Sequence, residues 1–421
     1  MTITNYMRLG TASSYDTVLA NISNQQSKLA QLQNELSTGK KIVNPSDDPT
    51  GAAQAERDQA RMDRIASDQR ALQAQQTSIS MAESTLGDVT SALQSFRDLV
   101  VSAGDASQTA SDRKTIQVQL QGIRDQILNM ANQTDANGRP LFAALGSALT
   151  PFVAPTTAAQ GYTFQGLPGQ SSSTAVTIPY ALDGNAAFMS TPSRDGVYNV
   201  TVGNAGGPIP AGRLLTTNSV TVSNAALANG SGYTISITNV DTTTTPGSTI
   251  VHYSVTESPS GNVSNQVAPA YLSTQNASIA VQGMPGLSLN INGNPAVGDT
   301  ISVAPQTSIF STLDNAINDI GNAANPNAAT QAVAQALNNL DTGMAKVSAV
   351  RGVAGDLLNR ASVINTNEGQ RSTQLTADQS AAQDLDMVKG ISDFQTQQTG
   401  YQAALQSYAS VKKVNLFNFL S

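Results

Sequence analysis

The sequence lacks the residue types on which most small-molecule chemistry depends. It has no cysteine and a single histidine, His252. Without cysteine there is no disulfide and no thiolate metal site. Any Ser-His-Asp triad, or any metal site that contains histidine, would have to use His252. Because that residue lies in the strand-like run Ile250-Val251-His252-Tyr253, we interpret it as an ordinary strand residue.

Large side chains are also scarce. There is no tryptophan, aromatic residues make up 5 % of the chain, and hydrophobic residues make up 39 %. A length of 421 residues is enough for two or three domains. With so little apolar material, one large core is excluded, and we expect stability to depend on assembly with other subunits.

Positive charge is low and long apolar runs are missing. The net charge of −7 argues against nucleic acid or an anionic membrane as a main partner. No apolar run approaches the ~18 residues of a membrane span. Residues 1–15 have no apolar segment of the kind found in signal peptides. We therefore expect no cleavable signal peptide, and the protein is either cytoplasmic or exported by a route that needs none.

Proline and charge divide the chain into three parts. Fourteen of the 17 prolines fall between Pro140 and Pro305. None lies between Pro49 and Pro140, and none follows Pro326. Proline breaks helix interiors, so these long proline-free tracts permit long helices. Every lysine lies outside residues 151–308, and only seven charged side chains lie inside that range. The flanks and the middle are therefore predicted to be different kinds of structure.

Both ends of the chain carry stripes of apolar residues at helical spacing. Steps of three and four residues place such residues on one side of a helix. The stripe of the first arm is Tyr15, Val18, Ile22, Gln25, Leu29, Leu32 and Leu36. The stripe of the last arm is Ile391, Phe394, Gln398, Tyr401, Leu405 and Tyr408. We take both stripes as candidate assembly surfaces.

The segments next to these arms have stronger stripes. They comprise Ile79, Leu86, Val89, Leu93, Phe96 and Val100; then Ile116, Leu120, Ile123, Ile127 and Met130; and finally Leu337, Leu340, Met344, Val347, Ala354, Leu358 and Ala361. Their spacing predicts a helical bundle built from both flanks.

The middle of the chain reads as short antiparallel strands. Residues 234–238, 249–255 and 287–291 alternate polar and apolar residues, and the dipeptide Asn292-Gly293 is a hairpin signal. We predict an α+β multidomain fold, in which an antiparallel helical coiled coil of the two arms carries an inserted β-rich domain. The predicted domains are 1–40 with 385–421, 41–140 with 309–384, and 141–308. The alternative is two separate coiled coils joined by a β domain.

Asp48-Pro49 is predicted to begin a helix, with Asp48 as the N-cap and Pro49 at the first helical position. The neighbouring acids Asp47 and Asp48 could instead form an acid/base or cation site, but capping accounts for them more fully. Asp183, Asp195 and Asp299 are the acids that a middle-domain enzyme would need, beside His252. No phosphate-binding glycine loop is present. We therefore expect no catalytic residue, no metal and no cofactor.

Two motifs in the arms resemble those of the flagellin family. The run Leu29 to Ile42, followed by Asn44-Pro-Ser-Asp-Asp-Pro-Thr-Gly-Ala-Ala-Gln-Ala55, is similar to the family's N-terminal motif. Residues 393–405 and the end of the chain at Leu416, Phe417, Phe419 and Leu420 resemble its C-terminal motif. The stretch from Asn294 to Leu313 is similar to the hook-associated branch of the family.

The resemblance implies a structural, self-assembling, extracellular subunit of the bacterial flagellum, of the type that joins hook to filament. It implies arms that fold on assembly, export as an unfolded chain through a type III channel, and a chaperone that holds the C-terminal region. The implied neighbours are copies of itself, hook-associated protein 1 and flagellin. The alternatives are a flagellin, which builds the bulk of the filament, and a surface enzyme carried by the middle domain.

Charge placed in the last arm tests this interpretation. We expect Tyr401→Lys or Leu405→Lys to block assembly, because each puts a charge into the helical seam, while the middle domain stays folded. Assembly is measured by filament formation, and folding by the circular dichroism of the free chain. Normal assembly of both variants would refute the paired arms.

Overall fold

The computed structural model describes residues 4–105, 107–156, 161–204, 207–210, 213–244 and 246–417, with side chains from Tyr15 to Ser410 in these ranges. The long helices are α1 (Thr4–Thr38), α2 (Pro49–Ala103), α3 (Ala110–Ala131), α6 (Ile309–Gly321), α7 (Pro326–Gln383) and α8 (Met387–Phe417). Two short helices, α4 (Gly184–Phe188) and α5 (Pro192–Asp195), lie between α3 and α6 along the chain.

All strands fall between α3 and α6 in the sequence, as predicted. They are β1 (Phe152–Val153), β2 (Thr163–Phe164), β3 (Tyr198–Asn204), β4 (Leu215–Thr217), β5 (Thr221–Val222), β6 (Gly232–Asp241), β7 (Ser248–Ser258), β8 (Val263–Val267), β9 (Tyr271–Leu272), β10 (Ala277–Ala280), β11 (Leu287–Ser288), β12 (Asn290–Gly293) and β13 (Asp299–Pro305). The predicted α+β fold with a β-rich middle is confirmed.

The chain forms two compact units. The first combines Met1–Arg70 with Asn365–Ser421, and the second is Ala71–Ile364. The helices α2 and α7 each contribute residues to both units. The three-part domain division at residues 40, 140 and 308 stays a prediction.

In the first unit the two ends of the chain pair antiparallel. The rings of Tyr15 in α1 and Tyr408 in α8 meet edge to face at 6.4 Å. At the other end of the pair, Gly390 lies so close to Leu36 that a Cβ on it would be 3.2 Å from the leucine Cδ2. This pairing of helices from opposite ends of the sequence confirms the predicted coiled coil of arms.

A backbone clasp ties the loop that follows α1 to the end of α7. The Lys41 amide donates to the Gln383 carbonyl at 2.9 Å, and the Leu385 amide donates to the Gly39 carbonyl at 2.9 Å. Gly39 ends α1 with φ +70°, the left-handed conformation that glycine adopts without steric cost. The chain therefore leaves α1 in the direction that these two hydrogen bonds require.

The helical core of the second unit follows the predicted stripes. In α2 the six stripe residues from Ile79 to Val100 are at most 1 % exposed. They share one core with residues of α3, α6 and α7 and with a cluster of aromatic rings. Among these rings, Phe152 contacts Phe164, Phe188 and Phe310 at centroid distances of 5.2 to 5.6 Å. The flanking helices thus bury most of the large side chains that the sequence provides.

The β strands form a second core around an antiparallel sheet with the order β3-β13-β6-β7-β8, in which β9 also pairs with β7. The strands predicted at 234–238 and 249–255 are confirmed as parts of β6 and β7. Their alternate residues, such as Ile235 and Val251, fill this core. The alternation in the sequence therefore identified the buried face of the sheet correctly.

The hairpin predicted at Asn292-Gly293 is wrong. Both residues belong to strand β12, where Gly293 pairs with Ala277 on one side and with Leu215 on the other. The glycine has φ +115°, and a Cβ there would lie 2.3 Å from the Leu214 carbonyl oxygen. The glycine is needed for close backbone approach and not for a turn, a difference that a dipeptide motif does not express.

Side-chain amides of α7 fasten the β region to the helices of the same unit. The Gln331 Nε2 donates to Thr217 Oγ1 at 2.8 Å, and the Thr217 amide donates back to Gln331 Oε1 at 3.0 Å. The Asn339 Nδ2 donates to the Tyr198 carbonyl at 2.8 Å. Since each bond satisfies a buried backbone or hydroxyl group, losing an amide would leave a polar atom unpaired.

A buried ion pair lies at the start of strand β13. Asp299 is fully buried and accepts from Arg213 Nη1 at 2.9 Å, from Asn204 Nδ2 at 2.9 Å and from the Ala296 amide at 2.7 Å. The arginine side chain is 20 % exposed. Removal of the arginine would leave an uncompensated carboxylate in the interior.

Arg213→Ala is therefore expected to destabilise the protein by roughly 3–5 kcal/mol, the usual cost of breaking a buried ion pair. Urea unfolding followed by circular dichroism measures the change. The matched control is Arg97→Ala, whose partner Asp341 is 58 % exposed; it should cost at most about 1 kcal/mol. Equal losses for the two variants would contradict a special role for the buried pair.

Candidate assembly surface

The arms of the first unit carry a seam of half-buried residues. In α1 all seven residues of the predicted stripe are half-buried: Tyr15, Val18, Ile22, Gln25, Leu29, Leu32 and Leu36. Their neighbours on α1 are exposed, apart from Glu35, which accepts a hydrogen bond from Gln31 at 2.9 Å. The seam is therefore where the sequence predicted it in the first arm.

The seam also contains an unsatisfied polar atom. The side-chain oxygen Oε1 of Gln25 is buried and has no hydrogen-bond partner in the described part of the chain. A polar residue in a coiled-coil seam lowers stability while it restricts register. Gln25 therefore weakens the association of α1 with α8 when no further helix contacts them.

The last arm differs from its predicted stripe. Phe394, Tyr401 and Tyr408 are half-buried as expected. Ile391, Gln398 and Leu405 are instead exposed, Ile391 to 46 % and Leu405 to 40 %. The seam uses Gly390, Gln397 and Ala404 in their place. At two of the three positions the prediction favoured the larger neighbour, Ile391 or Leu405, whereas the seam uses the smaller Gly390 or Ala404. At the third position both neighbours are glutamine, and size does not distinguish them.

The three exposed residues share a side of α8. Ile391, Gln398 and Leu405 are spaced by seven residues, so they lie in line along the helix. They follow the seam residues by one position and therefore border the seam. The arm thus has two parallel stripes, of which one contacts α1 and the other faces solvent.

Exposed apolar residues beyond these stripes were missed by the sequence reasoning. Leu19 in α1 is 51 % exposed, and Met387 and Val388 in α8 are 45 % and 82 % exposed. A single stripe per helix was sought, so residues off that stripe received no role. Ile391 and Leu405 do belong to the predicted stripe, but spacing alone does not show which residues of that stripe contact α1.

Four predicted assembly residues lie in the tail of the chain. The side chains of Leu416 and Phe417, and the residues Phe419 and Leu420, lie outside the described residues.

Asp48 and Pro49 stand at the start of α2. The Asp48 Oδ1 accepts from the Thr50 amide at 3.1 Å, from the Gly51 amide at 3.0 Å and from the Thr50 hydroxyl at 2.7 Å. The Gly51 hydrogen bond is the main reason that the pKa of Asp48 is lowered. Asp47 turns away and accepts from the Asn44 amide at 2.8 Å. Both carboxylates are thus occupied by backbone N–H groups of their own loop.

The acids that an enzyme in the middle domain would need are also engaged. Asp183 accepts from the amides of Asn185 and Gly169 at 3.0 Å each. Asp195 bonds to Arg194 and to Lys346, the latter at 2.8 Å. Burial favours its neutral form, but these bonds outweigh burial and lower the pKa of Asp195. Asp299 is held by Arg213, as described above.

One buried polar cluster joins α3 to α6. The Tyr162 hydroxyl donates to Asp314 Oδ2 at 2.8 Å and accepts from Arg124 Nη1 at 2.9 Å. Burial raises the pKa of Tyr162 to about 12, and burial also raises the pKa of Asp314. Tyr162 is only 4 % exposed, so its hydroxyl is available to its protein partners rather than to a substrate.

Two further features are absent from the described ranges. There, no group of three or more His, Asp or Glu side chains is arranged to hold a metal ion. Within the same ranges, none of the helices combines the length and apolar character that a membrane crossing needs. The most distinctive surface of the described residues is thus the pair of arms with its exposed stripe.

Comparison with known proteins relates this architecture to flagellar subunits. A sequence model of the bacterial flagellin N-terminal helical region matches residues 10–146. The flagellar hook-associated protein 3 of Salmonella typhimurium is 38 % identical over 154 residues, which are 35 % of this chain and 46 % of that protein. The Escherichia coli protein of the same name is 36 % identical over the same shares. The chain spans about half the length of the curated relatives it matches.

Flagellins match less of the chain. The phase 1 flagellin of Salmonella naestved is 31 % identical over 121 residues, or 28 % of this chain and 23 % of that protein.

A solved structure extends the likeness of fold to most of the chain. The flagellar hook associated protein-3 of Legionella pneumophila superposes with a TM-score of 0.58 and 24 % identity, over 76 % of this chain and 97 % of that one. At this identity the likeness concerns the fold. The resemblance predicted from Leu29 to Ala55 is confirmed: residues 10–146 match the bacterial flagellin N-terminal helical region, and the chain has the fold of a flagellar hook associated protein-3.

Proposed function

We propose that this protein is a non-enzymatic subunit of the bacterial flagellum that assembles with copies of itself at the junction between hook and filament. The observation that carries the proposal is the pair of arms, which combines a flagellin-family helical region with an incompletely buried seam. The names of the relatives matched over the longest segments, hook-associated protein 3, favour the junction over the bulk filament.

The arms have a physical reason to require neighbours. Ordering a helix costs ~1–2 kcal/mol per residue in backbone entropy, and burial must compensate for it. In α2 the six stripe residues from Ile79 to Val100 are at most 1 % exposed, whereas no described apolar residue of α1 is fully buried. A second layer of helices from adjacent copies supplies the missing burial, so folding of the arms and assembly are coupled.

The exposed stripe of Ile391, Gln398 and Leu405 supports this coupling. It borders the seam and has heptad spacing, so another helix can pack against it by the same side-chain interlocking. The predicted assembly residues therefore divide into two groups. Phe394, Tyr401 and Tyr408 hold α1 and α8 together, and Ile391 and Leu405 contact a neighbouring copy.

The remaining parts of the proposal follow the flagellar role. The protein is exported to the cell exterior as an unfolded chain through a type III channel, and a chaperone binds its C-terminal region before export. In the flagellum its neighbours are hook-associated protein 1 on the hook side and flagellin on the filament side. A chain without cysteine has no disulfide to delay unfolding before export.

Deletion of the gene should leave hooks without filaments and release flagellin into the medium, because an adaptor is missing between two structures that do not bind each other directly. Electron microscopy of the cells and immunoblots of the medium measure both effects, and restoring the gene is the control. Full filaments on the hooks of the deletion strain, with no released flagellin, would rule out a junction role.

Labelling separates the junction protein from a flagellin. With a small epitope tag in the exposed loop 242–244, we expect label in a narrow band at the distal end of the hook in isolated flagella. Label along the whole filament would instead establish a bulk filament subunit.

A charge is expected to act differently in the two groups of arm residues. Tyr401→Lys puts a charge against α1 and should lower the partial helical content that the arms reach in the free chain before assembly. Leu405→Lys should leave that content unchanged and still block assembly, since its side chain faces solvent until a neighbour binds. Circular dichroism and complementation of the deletion strain measure the two effects. Gln406→Lys, on the exposed side of α8, is the matched control and should assemble normally. Assembly of Leu405→Lys at the level of this control would remove the outer stripe from the proposed interface.

A further inference from the structure

The two edge strands of the large β sheet differ in what contacts them. At one edge, the backbone of β3 is bound by α7, since Asn339 Nδ2 donates to the Tyr198 carbonyl at 2.8 Å. The next side chain of that strand, Asn199, donates to Asp319 of α6 at 2.9 Å. At the other edge lies β8, whose sole strand partner in the described chain is β7.

The free side of β8 carries unpaired backbone groups. The Ala268 amide donates to the Val251 carbonyl, and the Glu257 amide donates to the Asn262 carbonyl. Antiparallel strands alternate between bonded and non-bonded pairs, so Ser264 and Gln266 point their N–H and C=O groups at β7. Val263, Asn265 and Val267 point theirs away from the sheet.

The side chains at these positions leave the edge unprotected. Val263 is 61 % exposed and Val267 is 59 % exposed, with an exposed Asn265 between them. Natural edge strands are commonly blocked by lysine, by proline or by a bulge. The strand Val263-Ser-Asn-Gln-Val267 has no charge and no proline, and it pairs with β7 in unbroken register. An uncharged edge of this kind is suited to adding a strand.

The sequence of β8 is complementary to itself. When two copies run antiparallel about Asn265, that residue faces its own equivalent, and each Val263 faces a Val267. The residues that face each other are those whose backbone groups point outward. Each of the three facing pairs can exchange two hydrogen bonds, which gives about six across the contact. The two valine pairs lie on the same face and bury each other.

We propose that β8 pairs with β8 of a second copy of this chain, as a two-fold symmetric extension of the sheet. In a two-fold contact the free edge of β8 in one copy pairs with the same edge in the other, so no β8 edge remains for a third copy. The ladder is limited to the five residues of β8. Gly261, which has φ +75°, lies before the strand, and Pro269 lies after it. So short a contact buries far less than the ~1,600 Å² of a standard interface, so it is weak in dilute solution and strengthens when copies are held together. The contact belongs to the β region, and the proposal does not depend on the flagellar role.

A single cysteine tests the pairing directly. The natural chain has none, so Asn265→Cys can form a disulfide only with another copy. Facing residues of a bonded antiparallel pair have Cα atoms about 5.5 Å apart, which is within disulfide range. We expect mild oxidation of the full-length protein to give a covalent dimer on non-reducing gels. Val297→Cys is the matched control, since Val297 is 60 % exposed but lies outside the strands. If both variants cross-link to the same extent, the proposal is overturned.

Charge exchange tests the register and the identity of the partner. Val263→Lys/Val267→Lys puts like charges opposite each other and should weaken self-association at least tenfold. Val263→Lys/Val267→Glu puts opposite charges in the same positions and should retain it. Sedimentation at high protein concentration measures association, and unchanged thermal unfolding shows that each variant is folded. Loss of association in both variants would overturn the proposed register, and no loss in either would overturn β8 as the site.

Discussion

The antiparallel pairing of α2 with α7 is the interaction on which the rest of the structure depends. These helices come from opposite ends of the sequence, and side-chain bonds join them at several levels. Thr376 contacts Met62 in the first unit, and Arg351 contacts Glu83 in the second. Because the two helices are aligned in this way, the clasp between residues 39–41 and 383–385 can form. The clasp in turn sets α1 beside α8, although little apolar surface holds those arms together.

Burial is distributed unevenly along these helices, and that distribution suits a subunit that is completed by others. The second unit contains nearly all of the large buried side chains and both hydrophobic cores. The first unit has a seam of half-buried residues with an unsatisfied glutamine oxygen at Gln25. A chain with 5 % aromatic residues cannot fill both units equally. The second unit therefore has hydrophobic cores of its own, and under the proposed function the arms are completed by contacts from neighbouring copies.

The β region is attached to the helices by specific polar bonds. Gln331 and Asn339 satisfy backbone and hydroxyl groups of β3 and β4, and Lys346 binds Asp195. Such bonds contribute modest net stability but fix one orientation, because misplacement leaves buried polar groups unpaired. The arms and strand β8 then offer separate surfaces for copies of the chain, one helical and one at a sheet edge.

The sequence by itself determined the helical flanks, the β-rich middle, the seam of α1 and the family resemblance. These features depend on periodicity, on proline placement and on a long motif, all of which are local properties of the chain. Tertiary structure alone decided which of two adjacent residues in α8 faces α1. The seam uses Gly390 and Ala404 rather than Ile391 and Leu405, and a Cβ on Gly390 would lie 2.8 Å from the Leu385 Cδ2 and 3.2 Å from the Leu36 Cδ2. Tertiary structure also decided that Gly293 lies in a strand and that β8 has a free edge, since backbone approach and strand order depend on residues distant in sequence.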